Sequence, residues 1–207
     1  MTTLSVHPST PQARYIKQAV AVLRSGGVII YPTDTVYGLG CSIFDPRAIE
    51  RVYAIKHRNR STPFSFMCSD LSHISDYAKV SNSAFRLMKH LIPGPYTFIL
   101  RASRLKQLPR SMISNRQEVG IRVPRNETCR LLLKELGTPI LNASVEDNQG
   151  ELINSPDDIR EKYEHEVDLM LDGGNSLFEL STILDLTAEN PVIVRQGAGD
   201  TSQLRPA

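Results

Sequence analysis

Amphipathic stretches and short apolar runs take turns along most of this 207-residue chain, and that alternation restricts the fold more than any other feature. In "TPQARYIKQAVAVLRSGG", Ile16, Ala19, Val20 and Leu23 recur at helical spacing. Gly26 and Gly27 stop this helix before the strand-like run "VIIY". "DPRAIERVYAIK" predicts a second helix, with Pro46 at its start and Ile49, Val52, Tyr53 and Lys56 on one face. "SNSAFRLMKHLI" predicts a third, with Phe85, Met88 and Leu91 or Ile92 facing inward, ended by "PGP". "ETCRLLLKELG", closed by Gly137, is a further helix, as is "SPDDIREKYE", with Ser155 as N-cap and two acids in its first turn. Between the helices, "PFSFMC", "YTFILR", "VGIRVP", "PILNAS", "VDLMLDGG", "STILDL" and "PVIVR" read as strands. The expected fold is α/β, a mixed sheet flanked by helices, in one domain spanning residues 1–207.

Charge is modest in sum, +2, and uneven in place. Residues 101–125 carry Arg101, Arg104, Lys106, Arg110, Arg116, Arg122 and Arg125 against a single acid, Glu118. Residues 146–172 carry ten acids against Arg160 and Lys162. A basic face of this kind suits phosphates or RNA, although charge alone favours a solvated face balanced by the acidic segment. Cys41, Cys68 and Cys129 form no zinc or CxxC pattern, which predicts a reduced, cytoplasmic setting. The N-terminus lacks an apolar signal core and no apolar run is long enough to span a bilayer, so the expectation is a soluble protein.

The residues that could carry chemistry cluster after strands. "VIIY" ends in Pro32, Thr33, Asp34 and Thr35 and then the glycine-punctuated loop "VYGLG", which is ordinary turn chemistry or a site. Arg122 lies inside "GIRVP", Ser144 follows "PILNA", Ser181 and Thr182 open "STILDL", and Arg195 ends "VIVR". Strand ends are where open α/β sheets bind ligands. "AIKHRNRS" is more pointed, because Lys56, Arg58 and Arg60 repel one another unless an anion such as a phosphate or carboxylate is near. The chain has no GxxxxGK[ST], no GxGxxG after its first strand, no GxSxG and no HExxH. Its five histidines have no metal-ligand spacing, so no metal site is predicted. The residues themselves lead to an α/β protein with a basic anion-binding cleft.

"GGVIIYPTDTVYGLGC", "AIKHR", "IPGPYTFIL", "GIRVP", "PILNAS", "STILDL" and "VIVRQGAGD" occur together and in order, from about Gly26 to Asp200. In this the chain resembles the YrdC/YciO family. The resemblance implies a twisted mixed sheet flanked by helices around a large, positively charged concave cavity. Enzymes of the family are L-threonylcarbamoyladenylate synthases, which combine L-threonine, bicarbonate and ATP and release pyrophosphate. Their product feeds threonylcarbamoyl modification of an adenosine in tRNA. Double-stranded RNA binding is also ascribed to the group, so tRNA or double-stranded RNA is a further partner and a non-catalytic RNA- or nucleotide-binding protein is the alternative. By the same resemblance Thr33, Thr35, Arg122 and Ser181 would serve the threonine side. Ser144 and Arg195 would serve the nucleotide side, and Lys56 and Arg58 would grip phosphates or the carbamate as the catalytic pair. Mg²⁺ is expected with the ATP, and no carboxylate of the sequence stands out as its ligand.

The sequence departs from the synthase pattern at four places. Ser144, Val145 and Glu146 stand where synthases have Ser-x-Asn, which puts an anion beside the expected triphosphate. Thr62 replaces the usual Lys or Asn after the KxR, and Met67 stands for a frequent histidine. The chain ends at Ala207, so no extra C-terminal domain is expected. The missing amide and the fuller "SFMC" strand resemble the YciO-type branch.

Overall fold

The structure, a computed structural model, describes residues 1–59, 62–103 and 108–204; Arg60, Arg104 and Lys106 lie outside the described residues. In chain order the strands are β1 (Thr2–Ser5), β2 (Ile29–Tyr31), β3 (Gly38–Gly40), β4 (Ser65–Met67), β5 (Ala78–Lys79), β6 (Tyr96–Ala102), β7 (Glu118–Arg122), β8 (Ile140–Ser144), β9 (Leu169–Asp172), β10 (Thr182–Asp185) and β11 (Val192–Arg195). They form one twisted mixed sheet in the order β1-β9-β2-β3-β8-β4-β7-β6-β10-β11, with β5 paired to β6. Four pairings are parallel, β1/β9, β2/β9, β4/β7 and β6/β10, and the rest are antiparallel. The helices are α1 (Ala13–Arg24), α2 (Pro46–Ile55), α3 (Leu71–Ser75), α4 (Asn82–Leu91), α5 (Glu127–Leu136) and α6 (Pro156–Tyr163).

Successive strand residues point to opposite faces, and here both faces are covered. Ile29, Tyr31, Met67, Ile140, Leu169 and Leu171 pack with Ile16, Val20 and Leu23 of α1 and Leu132 and Leu133 of α5. Their neighbours Ile30, Phe66, Leu141 and Met170 enter a second core with Ile49 and Val52 of α2. Double burial explains why these strands read as continuous apolar runs rather than as alternations.

The helix ends follow their local chemistry. The Asp45 carboxylate accepts the Ala48 N–H at 3.0 Å with Pro46 at the first helical position, and Asn126 caps α5 through the Cys129 N–H at 3.1 Å. Each such cap contributes about 1 kcal/mol. Two sequence expectations need correction. Phe85 is exposed (45%), because Ala84 and Met88, four residues apart, set the buried stripe of α4 and Phe85 falls one position off it. "GLG" is a strand, β3, paired antiparallel with β2 and β8 rather than a loop. Its glycines are there for close approach: a Cβ on Gly40 would stand 2.1 Å from the Leu141 carbonyl oxygen, and one on Gly38 would stand 2.6 Å from the Tyr31 ring. Among the described residues, no helix is long and apolar enough to cross a membrane.

Candidate functional site

On β4 and β8 the residues two positions from buried Met67 and Ile140 are Ser65 and Asn142, where the sheet face turns polar. Together with Thr97 and Ile99 of β6 and Gly120 and Arg122 of β7, they border a cavity of about 340 Å³. Gly120 sits where a Cβ would crowd the Ser65 Cβ at 3.2 Å, so its missing side chain leaves the floor open. Of the residues singled out from sequence, Thr35, Arg58, Arg122, Ser144, Ser181 and Arg195 all line this cavity. Thr33 and Lys56 are not among its lining residues.

The segment after β2 is built around Arg122. Its Nη2 donates to Asp34 Oδ1 at 2.5 Å and to Thr35 Oγ1 at 2.8 Å. Asp34 Oδ2 also accepts the Arg125 backbone N–H at 2.9 Å, which ties the turn to the end of β7. The guanidinium is nearly sealed from solvent, with a side-chain exposure of 4%, and its Nε–H is buried without a partner. A buried guanidinium donor without an acceptor is costly. Thr33 braces this arrangement: its hydroxyl donates to the Val36 carbonyl at 2.6 Å and accepts the Thr35 N–H at 3.1 Å. Its position therefore supports Thr35 rather than the cavity wall.

The hydroxyl of Ser181, just before β10, and that of Thr97 on β6 are 2.9 Å apart. Arg195 Nη2 donates to the Ser181 carbonyl at 2.8 Å, and Arg195 Nε at 3.2 Å. Burial, and then the nearby Arg122 charge, lower the Arg195 pKa, while the Glu146 carboxylate acts in the opposite sense. After α2 ends, His57 takes a left-handed backbone (φ 46°), and the Arg58 guanidinium lies 4.7 Å from the centre of the Phe64 ring.

Lys56, the C-cap of α2, reaches toward β8. Its Nζ donates to the Ser144 carbonyl at 3.0 Å and to Glu146 Oε2 at 2.6 Å, and the Ser144 hydroxyl donates to the other Glu146 oxygen. Among the described residues, neither Arg58 nor Arg195 forms an ion pair, whereas Lys56 and Arg122 each hold a carboxylate. Glu118 also lines the cavity. It was missed as a site residue, although Glu118, Gly120 and Arg122 alternate along β7 and so share a face. Asp34 was read as part of the polar run after β2 without a role of its own; its carboxylate is the fixed partner of Arg122.

No cysteine here offers a nucleophile. Cys41, Cys68 and Cys129 are all free and buried, and burial pushes the Cys41 thiol up to about 12 and raises the other two as well. Among the described residues, no group of three or more His, Cys, Asp or Glu side chains converges to hold a metal ion. The cations and hydroxyls that line the cavity suit positioning of charged ligands.

Residues 21–197 match the profile of the Sua5/YciO/YrdC family, described under the heading of telomere recombination. The chain is 45% identical over 197 residues to YciO of Escherichia coli strain K12, covering 94% of this chain and 95% of that protein. The crystal structure of E. coli YciO superimposes with a TM-score of 0.93 over 99% of this chain and all of the other, at 42% identity. More distant is the threonylcarbamoyl-AMP synthase of Pyrococcus abyssi, 29% identical over 184 residues, covering 88% of this chain but 54% of the longer relative. The crystal structure of P. abyssi Sua5 complexed with L-threonine gives a TM-score of 0.88 at 27% identity, covering 95% of this chain and 58% of that one. The polar cavity thus stands in a fold shared with a threonine-binding relative, and the chain belongs to the Sua5/YciO/YrdC family.

Proposed function

We propose that the cavity is the amino-acid and nucleotide site of a threonylcarbamoyl-AMP synthase-type enzyme. Its substrates would be L-threonine, bicarbonate and ATP, with Mg²⁺ arriving as part of the ATP complex. The observation that carries this reading is the convergence of Thr35, Arg122 and Ser181 with Arg58, Ser144 and Arg195 on one cavity. The named activity of the P. abyssi relative and its complex with L-threonine support the choice of substrate.

The geometry supports distinct roles for these residues. Arg122, held by Asp34 through Nη2, would meet the threonine carboxylate beside the Thr35 and Ser181 hydroxyls. The threonine amine adds to carbon dioxide formed by dehydration of bicarbonate and loses a proton, giving a carbamate. A carbamate oxygen then attacks the α-phosphorus of ATP and pyrophosphate leaves. No covalent enzyme intermediate is needed. The protein contributes position and cations, Arg58 and Arg195 near the phosphates, Lys56 through its link to Ser144. The product would be used in threonylcarbamoyl modification of tRNA, and three buried free thiols suit a cytoplasmic setting.

Pyrophosphate release tests this reading. Release should require ATP, threonine and bicarbonate together and should fall at least about hundredfold in Arg122→Ala. Release without threonine, or full activity in that variant, would refute it. The second reading is a nucleotide- or double-stranded-RNA-binding protein without turnover, and the Lys56–Glu146 ion pair favours it. Tight nucleotide or RNA binding with no pyrophosphate would select it.

A further inference from the structure

Glu146 both holds a basic side chain and engages a hydroxyl of the cavity wall. Its two oxygens are divided between the Lys56 ammonium, at 2.6 Å, and the hydroxyl of Ser144. These are the kinds of donor that a phosphate would take. The pair is mostly shielded, with side-chain exposures of 9% for Lys56 and 26% for Glu146, so water screens it weakly.

The carboxylate is also anchored from behind. The Tyr163 hydroxyl donates to the Glu146 carbonyl at 2.7 Å and accepts its backbone N–H at 3.3 Å. Glu146 further bridges Leu152 in a short antiparallel contact, and the Val145 N–H donates to the Tyr37 carbonyl at 3.0 Å. The backbone is therefore fixed on both sides, and the charge can leave only by side-chain rotation. Its field reaches the cavity, because the Arg195 guanidinium feels it.

We propose that Glu146 is a specificity-determining residue: a built-in anion that occupies Lys56 and the Ser144 hydroxyl, so that the cavity favours a nucleotide with a single phosphate over a polyphosphate. This rests on the nucleotide reading of the cavity given above. A first phosphate has Arg58 and Arg195, which hold no carboxylate among the described residues. Further phosphates meet Lys56 already neutralised and a fixed negative charge beside it. They must either displace the carboxylate or accept like-charge repulsion. In the proposed reaction this weights binding toward the adenylate product and away from ATP.

The test measures dissociation constants for AMP, ATP and inorganic pyrophosphate, in Mg²⁺ buffer, with the wild-type protein, Glu146→Gln and Glu146→Asn. Melting curves identify any variant that fails to fold. The wild type should bind AMP at least as tightly as ATP. Either variant should gain about tenfold in affinity for ATP and pyrophosphate, with AMP changing less than about threefold. An unchanged ATP-to-AMP ratio in a folded variant, or a wild type that binds ATP about tenfold more tightly than AMP, would overturn the proposal. Pyrophosphate needs no nucleoside pocket. A gain for pyrophosphate alone, with no nucleotide bound by any form, would retain Glu146 as the anion gate and discard the nucleotide reading. Nucleotide binding with an unchanged ratio would do the reverse.

Discussion

Arg122 and Lys56 are both cations tied to a carboxylate, yet the two pairs leave different things over. Arg122 meets Asp34 while its Nε–H stays buried and unpartnered. Lys56 meets Glu146, and the second carboxylate oxygen takes up the Ser144 hydroxyl as well. One pair leaves a buried guanidinium donor over; the other uses up a donor of the cavity wall. A guanidinium can hold an internal acid and still offer another N–H to a ligand, because its donors point in several fixed directions. An ammonium is a single point of charge, and its salt bridge competes directly with any ligand anion.

The largest effect expected from this contrast is on stability. Asp34→Ala would leave the buried Arg122 charge uncompensated and should cost about 3–5 kcal/mol in urea titration. Glu146→Ala, at a more exposed pair, should cost no more than about 1–2 kcal/mol. Equal losses would erase the distinction between the two sites. A double-mutant cycle of Lys56→Met with Glu146→Gln should then return a coupling of about 1–2 kcal/mol. A coupling near zero would mean that the contact does not bind the two side chains in solution. Tyr163→Phe removes a hydroxyl that bonds the Glu146 backbone twice and should cost about 1 kcal/mol. It should also raise ATP affinity, by less than Glu146→Gln does, because the carboxylate loses its anchor but keeps its charge.

The smallest effect lies away from both pairs and serves as their control. Burial lowers the His73 pKa from its usual 6.5, against the opposing pull of Asp70 and Asp76, and its Nδ1 accepts the Ser69 N–H at 3.3 Å. The unfolded chain therefore binds the proton more readily than the folded one. Stability from this residue is full above pH 6.5 and declines as the pH falls through the folded pKa. His73→Gln should flatten the drop in melting temperature below that pH and leave the ratio of ATP to AMP affinity untouched. A changed ratio would mean that acid-sensitive packing around α3 reaches the cavity.

Most helices and the buried strands were legible because their apolar period survives tertiary packing. Ile16, Ala19, Val20 and Leu23 were read on one face of α1, and all four are buried. What was not legible had either no period or a misleading one. β1 is a four-residue edge strand with no buried residue, so nothing in "TTLS" announces it. "GLG" reads as a loop by composition, and its strand character comes from neighbours in β2 and β8 that glycine alone lets approach. In the cavity, residues at strand ends were found by type and place. Their pairings were not, because Asp34 with Arg122 and Glu146 with Lys56 are each about ninety residues apart in sequence, 88 and 90. Glu146 was recognised as an anion near the expected phosphates, but its partner emerged only from the fold.

The neutralised lysine also has a bearing on how quickly a ligand arrives. An isolated charge projects its field over roughly a Debye length, about 8 Å at physiological ionic strength, whereas a close ion pair projects only a dipole. With Lys56 and Arg122 both paired, the described cations of the cavity wall left to attract an anion are Arg58 and Arg195. Two unpaired cations in place of four should leave the association rate of an anionic ligand with a correspondingly weaker salt dependence.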